Sequence, residues 1–423
     1  MPSPPLRERF PVRDFETFHE AELPRLLASG RAALAAADAA PVGSLALRVS
    51  SAEGASRAFT YVPTVDGVAL RRGDAEADVV VELDGERWSD LVDDLESAPG
   101  LLYAGACRVV RGDPMRFVRW EPKLRALYAG RPVFDLEAPP RLVDRRGRAL
   151  DPAHRFAQGD DREEMAHFLR EAGYLVVRGV FAEDEIAALR EDARALRAAA
   201  REGDGTSWWG RDAQGAATLC RVIDAARRDR MAALYADARI LSLVALSEFD
   251  LRPRRRDDDE AVSVLWKQPD MAEGLGDLPW HRDCGLGGHG VMCPLLIVTV
   301  NLTAGNAEAG ELRMLPGSWR SSVPFFEATD ARAPKGVGLR VDAGDVSLHY
   351  GDVMHAAPPP RRAGPWRDDG SFRTSVLLGF AREGALAHHR GEGVYNDVLL
   401  GNEDGQVEHL AKVAARSRPA DGS

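Results

Sequence analysis

The sequence predicts two folds in series: an α+β domain (an antiparallel sheet with helices) over residues 1–138, then a largely β sandwich or barrel flanked by helices over 139–405, and a tail at 406–423. Three observations carry this. Over the first 135 or so residues short strand-like runs alternate with helical patterns, amphipathic helical patterns open the second part, and five strand-like runs joined by Gly-, Pro- and Asp-rich loops fill the remainder.

In the first part SLALRVS, RAFTYVPTV, VALRRG and ADVVVEL are the strands, with Asp66-Gly67 as a hairpin turn. DGERWSDLVDDLES places Trp88, Leu91, Val92 and Leu95 on one helical face behind Asp84 as N-cap. The strand GACRVVRG follows, and Asp113-Pro114 opens another helix, with Asp as cap and Pro at the first helical position. Prolines and charges in EAPPRLVDRRGR mark a linker.

From about residue 161 a helix, the strand YLVVRGV and a long amphipathic helix are separated by Gly173 and Gly179. The runs AVSVLWKQ, PLLIVTVNL, GELRMLPG, GVGLRVDAGDVSLHY and FRTSVLLGFA then predict the second-half sheets. RPRRRDDDE, a block of opposite charges at 252–260, reads as a solvated loop.

Composition narrows the function. With 423 residues, 45% hydrophobic, the chain can build more than one core. Acids outnumber bases 66 to 55, for a net charge of -11, which argues against a nucleic-acid partner because phosphate binding needs clustered excess Lys and Arg. Four scattered cysteines (Cys107, Cys220, Cys284, Cys293) make no disulfide framework and suit a reducing cytoplasm. MPSPPLRERFPVRDF lacks a signal-peptide core, and PLLIVTV is far shorter than the ~20 residues of a membrane span, so the expectation is a cytoplasmic protein without one.

Chemistry concentrates in the second half. In LPWHRDCGLGGHG, His281 and Asp283 are two apart, so on an extended segment both reach one ion while Arg282 points elsewhere. An ordinary polar turn carries the same pair, and the rest of the chain must decide. AGDVSLHYGDVMHAAPPP supplies His349 and His355, and two neutral imidazoles with one carboxylate form the facial set that leaves a redox iron open to co-substrate and dioxygen. In FRTSVLLGF, Arg373 and Ser375 share a face of an apolar strand. A guanidinium beside a hydroxyl suits a small carboxylate, and a salt bridge to a local Asp is the alternative.

On these residues the segment from about 160 to 385 resembles the phytanoyl-CoA dioxygenase-like branch of the Fe(II)/2-oxoglutarate oxygenases. AGYLVVRGVFAEDEIAALR resembles that family's opening strand and helix, PWHRD its first metal motif, GELRMLPGSW its Gly-x-Leu and Pro-Gly-Ser segment, and GDVSLHYGDVMH its second histidine motif. The resemblance implies a double-stranded β-helix (jelly-roll), iron(II) held by His281, Asp283 and His355, and 2-oxoglutarate as co-substrate anchored by Arg373 with Ser375. It implies further co-substrate contacts at Lys267 and Thr299, and a structural place for His349. Asp283 implies hydroxylation rather than halogenation, since halogenating relatives carry a small residue there. Trp319 departs from the His that often ends Pro-Gly-Ser, and the loop between His355 and Arg373 is long.

The implied activity is hydroxylation of a C–H bond in a hydrophobic or carrier-linked small molecule by dioxygen. Desaturation, epoxidation or rearrangement at the same site, and a non-catalytic lipid-binding protein, are the alternatives. Trp280 and the pair Trp208-Trp209, read in a Gly-rich loop, are candidates to close over substrate, with core packing as the other reading. His289 reads as a mobile loop residue, and His388 and His389 as tail. Residues 15–130 resemble the sterol-carrier-protein-2 lipid-binding fold through ADVVVELDGERWSDLVDDL, LLYAGACRVVRGD and PMRFVRWEPKLRALY. Phe117, Val118, Leu124 and Leu127 then line an apolar tunnel or fill a plain core, and the domain presents substrate or makes a homo-oligomer.

Overall fold

Nineteen strands and a set of helices make up the described part of the chain, which in this computed structural model comprises residues 10–36, 42–50, 56–253, 262–273, 278–283, 295–326, 331–361, 373–382 and 410–417. His289, His388, His389, Cys284 and Cys293 lie outside it.

The N-terminal strands are β1 (Leu45–Ser50), β2 (Ser56–Thr64), β3 (Gly67–Arg72), β4 (Val79–Leu83) and β5 (Arg108–Arg111), in the order β3-β2-β1-β4-β5. Alternation decides the faces: Leu45, Leu47 and Val49 of β1 join Val79, Val81 and Leu83 of β4 in one core under the helices. The Asp66-Gly67 turn closes β2 onto β3 as expected. Gly67 has φ +135°, and a Cβ there would lie 2.3 Å from the Ala32 carbonyl oxygen, so only glycine fits. The expectation of an antiparallel sheet needs correction. β1 and β4 pair in parallel, because the connection after β3 crosses the sheet instead of turning back, and Asp74 in it is held by Arg48 Nε of β1 at 2.8 Å. The sheet is mixed.

Asp84 caps helix Gly85–Val92 by accepting from the Arg87 amide, and Asp113 caps helix Pro114–Ala129 by accepting from the Met115 amide at 3.0 Å. Phe117, Val118, Leu124 and Leu127 are each at most 2% exposed and belong to one core with Trp88 and Trp120, so they pack as core.

The rest of the chain contributes β6 (Phe156–Ala157), β7 (Tyr174–Arg178), β8 (Ser207–Asp212), β9 (Ala217–Val222), β10 (Leu251–Pro253), β11 (Val262–Lys267), β12 (Met271–Glu273), β13 (Leu278–His281), β14 (Leu296–Asn301), β15 (Arg313–Met314), β16 (Val337–Gly338), β17 (Val346–Tyr350), β18 (His355–Ala357) and β19 (Arg373–Arg382). They form two mixed-connectivity sheets, β12-β8-β9-β11-β19-β14-β17-β7-β6 with β10 on β19, and β13-β18-β15-β16. From β11 onward the chain shuttles between the two, consistent with a jelly roll.

Alternation on β11, β14, β17 and β19 separates two faces. Val262, Val264, Trp266, Val298, Val300, Leu348, Val376, Leu378 and Phe380 pack with Ile186, Leu189 and Leu243 from helices Glu183–Ala199 and Ala238–Val244. The opposite face carries Lys267, Arg373, Ser375, Asn301, Thr299, Ser347 and His349, a buried polar surface that only a site or a hydrogen-bond network could justify.

Two further placements differ from expectation. Trp208 and Trp209 lie on β8 rather than in a loop, because pairing with β9 extends the strand past the preceding glycines. Trp208 is 3% exposed in an apolar cluster with Tyr103, Leu265, Met271 and Val413. Residues 410–416, inside the expected tail, form a helix whose Val413 and Ala414 are buried, and Ser417 accepts from the Val109 amide at 3.1 Å. Among the described residues no helix is long and apolar enough to cross a membrane.

Candidate metal centre

Two short strands assemble the centre. β13 and β18 pair antiparallel with His281 opposite His355, which sets the two imidazoles side by side at 4.2 Å between ring centroids. Asp283, two residues beyond His281, brings Oδ1 to 3.7 Å from Nε2 of each histidine. One ligand atom from each of the three lies within 4.8 Å of the others, a spacing a single metal ion can bridge. Arg282 points the other way, as the alternation requires.

The backbone fixes the tautomers. Nδ1 of His281 lies 2.8 Å from the Pro279 carbonyl, and Nδ1 of His355 lies 2.9 Å from that of Val353. A carbonyl can only accept, so each Nδ1 carries the proton and each Nε2 is left with a lone pair. His349 on β17 approaches the second oxygen of Asp283 with Nε2 at 3.3 Å, supporting the structural place expected for it. The donor set therefore suits a divalent iron-type ion: two neutral imidazole nitrogens and one carboxylate oxygen, with the Asp283 side chain 28% exposed on its open side.

Burial pushes the His355 imidazole down to about 3, with His281 adding to the effect, and burial also lowers His281 against the pull of Asp283. Burial works to raise the Asp283 carboxyl, but the facing His355 and the His349 hydrogen bond outweigh it and hold it well below the usual carboxylate range. Below the ordinary histidine value of 6.5 the unfolded chain takes up a proton that folded His355 refuses, so this contribution is lost as pH falls from 6.5. His19, pushed by burial down to about 4, has the same sign, whereas Glu96, raised by burial to about 7, has the opposite one. The His355 share is therefore read by difference: between pH 7 and 5 the urea midpoint of the metal-free wild type should move more toward destabilisation than that of His355→Gln. Equal shifts would remove the burial argument.

Arg373 heads β19 with its Cα opposite Lys267. It is 7% exposed, and among the described residues its Nε has no hydrogen-bond partner and no carboxylate pairs with it. Burial pushes the guanidinium down to about 10 while Glu311 pulls the other way. The local salt bridge weighed as an alternative is thus not formed among the described residues. Ser375 lies on the same face, its hydroxyl 3.5 Å from Asn301 Oδ1. Lys267 is fully buried and donates to the Ala357 carbonyl on the strand that carries His355. Thr299 is 7% exposed between Ser347 and Leu377. All seven expected site residues therefore converge on the space between the two sheets. Asn301 and Glu311 join them unannounced. Asn301 had a legible signal, since it stands two residues past Thr299 on the same face.

Trp280 packs away from this space among Phe134, Leu315, Val323 and Met354, as core. Trp319 lies tilted against Tyr350, with ring centroids 4.7 Å apart, and donates from its indole to the Arg170 carbonyl, a structural role behind the sheet.

Residues 169–367, just under half of the chain, match the family model of phytanoyl-CoA dioxygenase (PhyH), a match that spans all three metal-set residues and ends before Arg373. No curated protein matches the chain. Among solved structures, EvdMO1 is similar at 22% identity over 52% of this chain and 50% of that one, with a TM-score of 0.41. The matched part thus spans about half the length of EvdMO1. The epimerase SnoN, in complex with Fe3+, alpha ketoglutarate and nogalamycin RO, is similar at 22% identity over 52% of this chain and 83% of that one, with a TM-score of 0.39. EctD from S. alaskensis, with 2-oxoglutarate and 5-hydroxyectoine, is similar at 22% identity over 58% and 84%, with a TM-score of 0.42.

Proposed function

We propose that this chain, a phytanoyl-CoA dioxygenase-like enzyme of the 2-oxoglutarate-dependent non-haem iron class, hydroxylates a C–H bond of a hydrophobic or carrier-linked small molecule. The observation that carries the reading is the set His281, Asp283 and His355, with both Nε2 lone pairs free for a metal, together with a buried Arg373 that no carboxylate pairs with among the described residues.

In this reading His281, Asp283 and His355 hold Fe(II), and Arg373 with Ser375 receives the far carboxylate of 2-oxoglutarate. Bound iron and co-substrate supply the activation of dioxygen, which no side chain can perform. The chain's own residues hold and orient. The Pro279 and Val353 carbonyls fix the imidazole rings, and His349 holds the second oxygen of Asp283. A carboxylate beside Arg373 would satisfy a cation that is otherwise costly to bury, which favours binding of an acid over water there. Lys267 stands opposite Arg373 on this inner face, and Thr299 lies farther along it, opposite Leu377.

The interleaved sheets support a double-stranded β-helix for residues 139–405, and the helix-covered mixed sheet supports a sterol-carrier-protein-2-like reading of residues 1–138. Support for an apolar substrate comes from the neighbouring inner face, where Leu265, opposite Ser375, and Leu377, two residues past Ser375, pack with Tyr103, Leu410 and Val413. A polar end for the co-substrate thus adjoins an apolar wall. Desaturation, epoxidation and rearrangement would use the same parts and differ in product. Incubating the protein with Fe(II), 2-oxoglutarate and a panel of free and thioester-linked acyl compounds in air tests the reading by mass spectrometry. A product that gains one oxygen atom, with succinate formed in step, is the expected result. A product that only loses two hydrogens would replace hydroxylation by desaturation, and succinate released at the same rate with or without every compound would remove the substrate class.

A further inference from the structure

Arg282, between His281 and Asp283 in sequence, leaves the metal site and enters a buried ion network shared with the N-terminal domain. Its guanidinium binds Glu121 of helix Pro114–Ala129 and reaches Asp352 Oδ1 at 3.1 Å. Asp352 stands three residues before His355, in the turn that leads into β18. Its second oxygen accepts from Arg131 Nη1 at 2.8 Å, and Arg125 Nη2 lies 3.6 Å from the first. Asp94 in turn accepts from Arg125 at 2.7 and 2.9 Å, and holds a left-handed backbone, φ 57°, that a non-glycine residue adopts at a cost. Three acids face three arginines. The Glu121, Arg282, Asp352 and Arg125 side chains are each less than 10% exposed.

An interface that merely docked two domains would need no charge in this place, because apolar side chains of similar size serve docking as well or better. Here the charged groups attach at two particular points, one inside the His281-Arg282-Asp283 segment and one just ahead of His355. A charge-assisted network in a dry environment fixes direction as well as distance. Its anchor on the other side is the 16-residue helix Pro114–Ala129, most of whose residues are buried in the N-terminal core.

We propose that Glu121 is a positioning residue for the metal centre: through Arg282 and Asp352, the N-terminal domain sets the separation of the β13 and β18 segments that carry the ligands. The proposal rests on the reading of His281, Asp283 and His355 as a metal site. It gives the N-terminal domain a part in the chemistry that does not depend on its binding a lipid.

Cobalt(II) titration of the full-length protein, followed by the visible ligand-field spectrum, tests this without turnover. Glu121→Gln should bind cobalt about 10-fold more weakly than wild type, the scale on which groups supporting metal ligands act, with shifted ligand-field bands. Arg131→Gln, which alters a partly exposed member and leaves the core intact, should act in the same direction and decides the matter if Glu121→Gln does not fold. In an Arg282→Met background, Glu121→Gln should have little further effect, because its path to the ligands is already cut. Additive losses would mean general destabilisation and overturn the proposal. Wild-type affinity and spectrum in both Glu121→Gln and Arg131→Gln, with cobalt binding lost in His281→Ala, would overturn positioning and leave the metal site standing. A wild type that binds no cobalt would overturn the metal reading and this proposal with it.

Discussion

Replacing His355 with alanine should abolish iron binding and coupled succinate formation, a loss well beyond the roughly 100-fold that follows from disturbing a group behind a metal ligand. The reason lies in β18. His355 is 4% exposed, its Nδ1 is committed to the Val353 carbonyl, and its ring lies between those of His281 and His349. Among the described residues the other nearby imidazole, His349, has its Nε2 turned onto Asp283. The backbone pairing of β18 with β13 and β15 does not involve the side chain, so the variant should stay folded. Metal content after anaerobic loading, with circular dichroism as the folding control, separates the outcomes. Full iron occupancy in a folded His355→Ala would remove His355 from the ligand set.

Arg373→Met should move function and stability in opposite directions. A hydrogen-bonded ion pair to a charged group contributes about 1.5–3 kcal/mol, so losing the guanidinium should raise the KM for 2-oxoglutarate by roughly 10- to 100-fold. Without co-substrate, the same guanidinium is a buried cation whose Nε has no partner among the described residues, and burial pushes it down to about 10. A methionine of similar reach removes that burden, so the variant should melt at or above the wild-type temperature when no 2-oxoglutarate is added. With metal present in both proteins, adding 2-oxoglutarate should then stabilise the wild type and move Arg373→Met far less at the same concentration. A variant less stable than wild type with unchanged KM would make Arg373 structural.

The parts of this arrangement that were legible in the sequence are those encoded locally. Period-two alternation placed Arg373 with Ser375 and His281 with Asp283 on common faces, and the structure keeps both pairs together. The caps Asp84 and Asp113 were readable because a cap acts within a few residues. Pairing between distant segments was not. The parallel β1–β4 contact and the strand character of Trp208 and Trp209 depend on partners that no local pattern names. Glu121 is the extreme instance: in sequence it is one polar residue in a mostly buried helix, and its meaning comes from Arg282, 161 residues later. Charged residues at core positions are the signal that marks such places, since burying an unpaired charge is costly and a partner must exist somewhere. Lys267, Glu121 and Arg125 all fit that rule.

The central claim, that His281, Asp283 and His355 hold an iron(II) to which 2-oxoglutarate binds, is tested most directly by anaerobic titration of the full-length protein with Fe(II) and 2-oxoglutarate. The weak visible charge-transfer absorption of the chelate should grow to one equivalent in wild type and be absent in folded His281→Ala. No absorption in wild type, together with no succinate on admitting air, would contradict it.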